Sequence, residues 1–146
     1  MEVKIKKLHK DAKIPTYAQY GDAGLDLSAV NISYQDDYIS YKTGLAFEIP
    51  SGYVGLLFPR SSNSNKDLIL CNSVGVLDSG YRGEVEFRYK LVYNGGASRG
   101  LQHIYSIGDR VGQIVIIPYP QITFIEEKEL EDSERSTNGF GSTGLK

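Results

Sequence analysis

The residues best suited to chemistry lie together in Cys71 to Glu84, CNSVGVLDSGYRGE. Apolar residues alternate with small ones up to Leu77, one carboxylate follows at Asp78, and Ser79, Gly80, Tyr81, Arg82 and Gly83 form a turn cluster. A β-arm turning back at Ser79-Gly80 would hold one acid, one aromatic ring and several free backbone amides side by side. Such a set can read the edge of a flat polar ring and deliver a base to a water molecule. An ordinary hairpin in which Asp78 caps the turn accounts for the same residues. This stretch alone leaves both readings open.

Other patterns suit anions. Tyr53 to Phe58 runs into Pro59-Arg60-Ser61-Ser62, placing a charged fork and two hydroxyls at a strand end, a set matched to phosphate oxygens. An N-cap for a short segment, Ser62 to Asp67, is the alternative, and the two are compatible because a helix N-terminus itself favours anions. Gln113 is an amide inside the apolar run Val111 to Ile117, and a buried amide needs partners. Asp26 alternates with leucines in Ala23 to Leu27, so on a strand it faces away from them, which also fits a solvated acid. Asp109-Arg110 reads as a local salt bridge at a turn. The last segment, Arg135 to Gly144, has the composition of a flexible tail. Yet glycines on either side of Phe140, followed by Ser142-Thr143-Gly144, resemble a phosphate-cradling loop that carries a base-stacking ring.

Five of these segments, in chain order, resemble the five motifs of the homotrimeric dUTPases: AGLDL at Ala23–Leu27, PRSS at Pro59–Ser62, the central stretch, GDRVGQ at Gly108–Gln113, and RSTNGFGSTG at Arg135–Gly144. They reach from residue 23 almost to the end of the chain. The resemblance implies an all-β fold, a distorted jelly-roll or β-clip-like sandwich. It implies a core domain over 1–134 and a glycine-rich arm over 135–146 that closes over a neighbouring active site in a trimer. It implies hydrolysis of dUTP to dUMP and pyrophosphate with Mg²⁺, a reaction that limits uracil in DNA and supplies dUMP.

The same resemblance carries roles over to matching residues. Asp78 would activate the attacking water. Arg60, Ser61, Ser62 and Gln113 would hold the phosphates, and Asp26 would support the metal through water. Asn72 and the backbone near Val76 and Leu77 would read the uracil edge. Tyr81 would pack under the sugar and exclude a 2′-hydroxyl. Arg135, Phe140, Gly141 and Ser142 would act from the arm, with Phe140 over the base. The chain departs from the family pattern at Gly112, where alanine is usual and the loss of a methyl is expected to be harmless. It departs again at Ser136 and Asn138, where glycines are usual and a stiffer arm is expected. Within the same fold, the dCTP deaminase branch carries a catalytic glutamate where this chain has Arg88, and a second arginine where it has Asn65. Some dUTPases double as regulatory binding proteins, so a protein partner is a further expectation.

The elements that must position these residues follow from composition. A chain of 146 residues fits one domain. With 16 basic and 18 acidic residues there is no broad basic field to hold nucleic acid, so any anion must be met locally. Sixteen glycines and eleven tyrosines suit a turn-rich all-β domain. Short alternating runs predict strands at Val3–Leu8, Ala23–Leu27, Tyr38–Tyr41, Gly44–Ile49, Tyr53–Phe58 (buried on both faces), Glu84–Tyr93, Leu101–Ile107, Val111–Ile117 and Ile122–Ile125, with Leu68–Leu70 leading into the central stretch and a turn at Asn94-Gly95-Gly96. Cys71, the single cysteine, excludes an intramolecular disulfide and is predicted to be a small buried apolar residue. His9 and His103 read as surface or strand histidines rather than a metal pair. The N-terminal MEVKIKKLHK lacks the apolar core of a signal peptide, and no run approaches the ~20 apolar residues of a membrane span. A soluble, cytoplasmic protein without a membrane or nucleic-acid partner is the expectation.

Overall fold

Short alternating runs punctuated by glycine and proline leave the chain no long helical stripe to bury. The computed structural model describes residues 1–92, 103–134 and 136–137. These form β1 (Lys4–Lys7), β2 (Leu25–Ser28), β3 (Asn31–Tyr34), β4 (Ile39–Lys42), β5 (Leu45–Glu48), β6 (Tyr53–Phe58), a 3₁₀ helix (Ser61–Asn65), β7 (Leu68–Leu70), β8 (Gly75–Leu77), β9 (Glu86–Leu91) and β10 (Arg110–Pro118). Among the described residues no helix is long and apolar enough to cross a membrane.

Two four-stranded sheets, ordered β2-β10-β6-β8 and β3-β4-β9-β7, are accompanied by a β1-β5 ribbon. Every pairing is antiparallel. Alternation turns one face of each sheet inward, and a single apolar cluster draws on both: Leu27, Leu57 and Ile114 from one, Tyr41, Phe87 and Tyr89 from the other. The all-β sandwich read from the sequence is the fold. At its centre Tyr41, Tyr89 and Tyr105 meet edge-on or tilted, with ring centroids 5.6–5.8 Å apart. Burial pushes the Tyr41 phenol up to about 12 and raises Tyr89 and Tyr105 as well, so all three stay neutral near pH 7.

Several expectations need correction. Residues 103–107 of the expected Leu101–Ile107 strand carry no ladder; the His103 and Ile104 carbonyls instead accept from the Asp67 backbone amide and Lys66 Nζ. Ile122–Ile125 is exposed and joins no ladder among the described residues, because it lies beyond Pro118 and Pro120, which have no N–H to continue one. β6 is not buried on both faces: only Gly55 and Leu57 are fully covered, in alternation. β3 was not expected, since Asn31-Ile32-Ser33-Tyr34 buries little and earns its place by pairing with β4. Cys71 is exposed, because it opens the turn after β7. The stretch around Asp78 does not close a hairpin either. β8 pairs with β6, and the following turn hands the chain to β9 in the opposite sheet. The expected turn at Asn94-Gly95-Gly96 lies outside the described residues.

Candidate active site

Register gathers three of the sequence patterns. On β10, Gln113 lies opposite Asp26 of β2 on one side and Phe58 of β6 on the other. The chain leaves Phe58 directly into Pro59-Arg60-Ser61-Ser62. Asp22, Gly24, Asp26, Arg60, Arg110 and Gln113 therefore border one cleft of about 350 Å³. Gln113 Nε2 donates to the Pro59 carbonyl at 3.1 Å. Its Oε1 occupies the space that a side chain at Gly24 would need, so any larger residue there would move the amide.

One carboxylate serves two cations in this cleft. Asp26 accepts from Arg60 Nε at 2.7 Å and from Arg110 Nη1 at 2.9 Å. Arg60 Nη1 also donates to Ser62 Oγ at 3.1 Å. A guanidinium has five N–H donors in a fixed fork, so both arginines keep donors for an anion after these bonds are made. The Asp22 carboxylate accepts from the Gln19 backbone N–H at 2.8 Å. Sequence reasoning missed Arg110, pairing it with adjacent Asp109. In fact Asp109 Oδ2 closes its own turn by accepting from Ser106 N, at 2.8 Å, and leaves Arg110 to Asp26. The capping alternative for PRSS is not realised: Arg60 holds the N-cap position of the 3₁₀ helix with no side-chain cap, and Ser61 and Ser62 are exposed.

Asp78 and Tyr81 stand elsewhere. β8 runs antiparallel to β6 with Leu77 opposite Gly55, which puts Asp78 beside the start of β6, whereas Arg60 follows its end. Asp78 is level with Val54, four residues before Phe58, where Gln113 and Asp26 stand, and at ~3.4 Å per residue the two levels are about 14 Å apart. Asp78 is exposed; its carbonyl accepts from Tyr81 N at 3.1 Å, but its carboxylate caps nothing among the described residues. Tyr81 is 48% exposed, and its hydroxyl donates to the Glu84 carbonyl at 3.3 Å. Among the described residues β8 ends its sheet, leaving alternate backbone groups along its outer side open to a ligand. Val76 is exposed there, while buried Leu77 offers only its backbone. Asn72 is exposed in the turn that precedes β8. Arg135, Phe140, Gly141 and Ser142 lie outside the described residues.

Among the described residues, no three metal-ligating side chains converge. Each Asp26 oxygen keeps a lone pair beyond its arginine bond, enough to accept from the water of a hydrated cation. Direct ligation would set the cation against two guanidinium charges already paired with this carboxylate. The donor set thus fits a metal held through water and brought by an oxygen-rich ligand.

Fold and cleft together define an antiparallel β-sandwich that gathers cationic and amide donors at one sheet end. The dUTPase family model matches residues 10–144. A deoxyuridine 5'-triphosphate nucleotidohydrolase of Hydrogenobaculum sp. (strain Y04AAS1) is 36% identical, with 100% of both chains covered. One from Gloeobacter violaceus is 39% identical over 99% of this chain and 97% of the relative. A solved dUTPase of Staphylococcus bacteriophage 80alpha with dUpNHpp superposes with a TM-score of 0.84, at 28% identity, covering 99% of each chain. The chain belongs to the dUTPase family.

Proposed function

We propose that the chain hydrolyses dUTP to dUMP and pyrophosphate. The observation that carries this reading is the meeting of Asp26, Arg60 and Gln113, each from a separate motif, in one cleft of a dUTPase-family chain. Arg60, Ser61, Ser62 and Gln113 hold the triphosphate, and Arg110 adds a second guanidinium. Mg²⁺ bound to the triphosphate oxygens would neutralise charge there, with Asp26 supporting it through water. Asp78 takes a proton from the water that attacks the α-phosphorus in line. The new P–O bond forms as the bond to the bridging oxygen breaks, and pyrophosphate leaves with the electron pair. Asn72 and the open edge of β8 near Val76 and Leu77 read the uracil, and Tyr81 packs against the deoxyribose. From the arm, Arg135, Gly141 and Ser142 meet the phosphates while Phe140 covers the base.

The gap of about 14 Å along β6 supports a site assembled across copies. In a homotrimer, Asp78 of one copy faces the cleft of another, and the arm over 135–146 closes over a neighbour's site. Arg88 supports hydrolysis over deamination: it bonds Glu86 at 2.6 Å and covers the Tyr38 ring on the outer face of its sheet. The test is incubation with each deoxynucleoside triphosphate and UTP, reading pyrophosphate and ammonia. Pyrophosphate from dUTP far ahead of the others is the expected result. Equal turnover of UTP would overturn the role of Tyr81, and ammonia from dCTP would overturn the reaction class.

A further inference from the structure

Residues three apart on a regular strand point to opposite faces. Arg110 and Gln113 nonetheless both line the cleft, and Arg110 reaches Asp26, the residue directly across from Gln113. The register explains how. Arg110 lies opposite Ser28, but Gly112 lies opposite Leu27 and Gln113 opposite Asp26, so β10 spends one residue more than β2 between Arg110 and Gly112. Val111 is that extra residue. A β-bulge re-aims the side chains beside it, and here it turns an odd spacing into a shared face.

β9, in the opposite sheet, grips this bulge with two side chains that alternate onto its inner face. The Tyr89 hydroxyl donates to the Val111 carbonyl at 2.7 Å, and both residues are fully buried. The Phe87 ring fills the space that a Cβ on residue 112 would require. Burial keeps the Tyr89 phenol protonated, hence a donor, across the working range of pH. The neighbouring Tyr105 hydroxyl donates to Asn63 Oδ1 at 3.0 Å and so fastens the 3₁₀ helix that contains Ser61 and Ser62 to the same core.

We infer that Tyr89 is a positioning residue for phosphate binding: its hydroxyl, with the Phe87 ring under Gly112, locks the Val111 bulge that places Arg110 and Gln113 on one face of the cleft. The functional part of this inference rests on the triphosphate reading of the cleft. Tyr89 touches no substrate and acts only through the backbone of β10.

Tyr89→Phe removes one oxygen and keeps the ring. Three quantities are to be measured on the full chain: affinity for α,β-imido-dUTP, affinity for deoxyuridine, and amide hydrogen exchange at Gly112 and Gln113. The expected result is a roughly tenfold loss of triphosphate affinity, below the ~10²-fold that a 1 Å misplacement can bring. Deoxyuridine affinity stays as in the parent, and exchange at the two amides quickens. Tyr41→Phe, which removes a neighbouring phenol with no partner among the described residues, leaves all three unchanged. A second route is Gly112→Ala, which loses triphosphate affinity by pushing against Phe87 and regains it when combined with Phe87→Leu. A Tyr89→Phe protein that is less stable yet binds the analogue as the parent does would overturn the positioning role, as would a double variant without recovery. Should the parent fail to bind any deoxyuridine nucleotide, the substrate reading falls. The bulge lock is then judged by exchange alone, and unaltered exchange at Gly112 and Gln113 overturns it.

Discussion

The two ends of β6 differ in how their polar groups are treated. At the end that leads into Arg60, donors and acceptors are wired together: Arg60 and Arg110 share Asp26, Ser62 holds Arg60, and Gln113 holds the Pro59 carbonyl. At the other end Asp78 is exposed, Tyr81 is half exposed, and among the described residues the Asp78 carboxylate has no partner and β8 leaves a sheet edge open. The first region is preorganised within one chain, so ligand charge meets donors already in place. The second has little to hold it but its own turn, where Arg82 Nη1 donates to the Ser79 and Tyr81 carbonyls at 2.6 and 2.9 Å. The contrast fits the division of labour proposed above, in which the fold builds the binding cleft and assembly delivers the water-activating group.

That comparison can be broken most severely at Asp78. Asp78→Asn is expected to lose ~10²–10⁴ in kcat, the range for a positioned general base, while binding a non-hydrolysable dUTP analogue like the parent. Single-turnover rates check this, and a variant with most of its kcat would reduce Asp78 to a turn residue. Arg110→Ala should act on the other region. Loss of a charged hydrogen bond of about 1.5–3 kcal/mol raises KM for dUTP by roughly ten- to a hundredfold. Lysine at this position should not restore it, because a point charge cannot bond Asp26 and phosphate as a fork does. An unchanged KM would remove Arg110 from the phosphate site.

Smaller effects sharpen the account of what supports the cleft. Gly112→Ala forces a methyl into the Phe87 ring, and overpacking of this kind costs about 1–3 kcal/mol, read as a fall in Tm. Tyr41→Phe removes a buried hydroxyl that has no partner among the described residues, so stability should be unchanged or rise by up to ~1 kcal/mol. A clear fall in Tm for that variant would mean that the hydroxyl has a partner after all.

Asp26, Arg60, Ser62 and Gln113 were legible because their types are conspicuous where they stand: an acid between leucines, a fork and hydroxyls after an apolar strand, an amide inside one. Arg110 was not legible. Its neighbour Asp109 offered an adjacent partner, and its spacing from Gln113 points to the wrong face unless the bulge is known. A bulge depends on cross-strand register, which no local pattern prints. Gly112 reads as the loss of a methyl, and that the Phe87 ring fills the space is hidden for a related reason, since Phe87 comes from the opposite sheet. Cys71 reads as a core residue by type alone, but the turn it opens decides its exposure. Ile122–Ile125 has a strand's composition, and the prolines before it matter more than its propensity. The strand alternation that defines the sandwich was legible almost throughout; what lay hidden was contact between segments distant in the chain.

The separation of Asp78 from the cleft is tested most directly by mixing two inactive proteins, Asp78→Asn and Arg60→Ala, under conditions that exchange subunits. If the acid and the phosphate cleft come from different copies, random equal mixing restores about a quarter of the sites, one right choice of two at each position in a symmetric oligomer. Verified exchange of subunits with no recovery of dUTP hydrolysis would contradict the shared site.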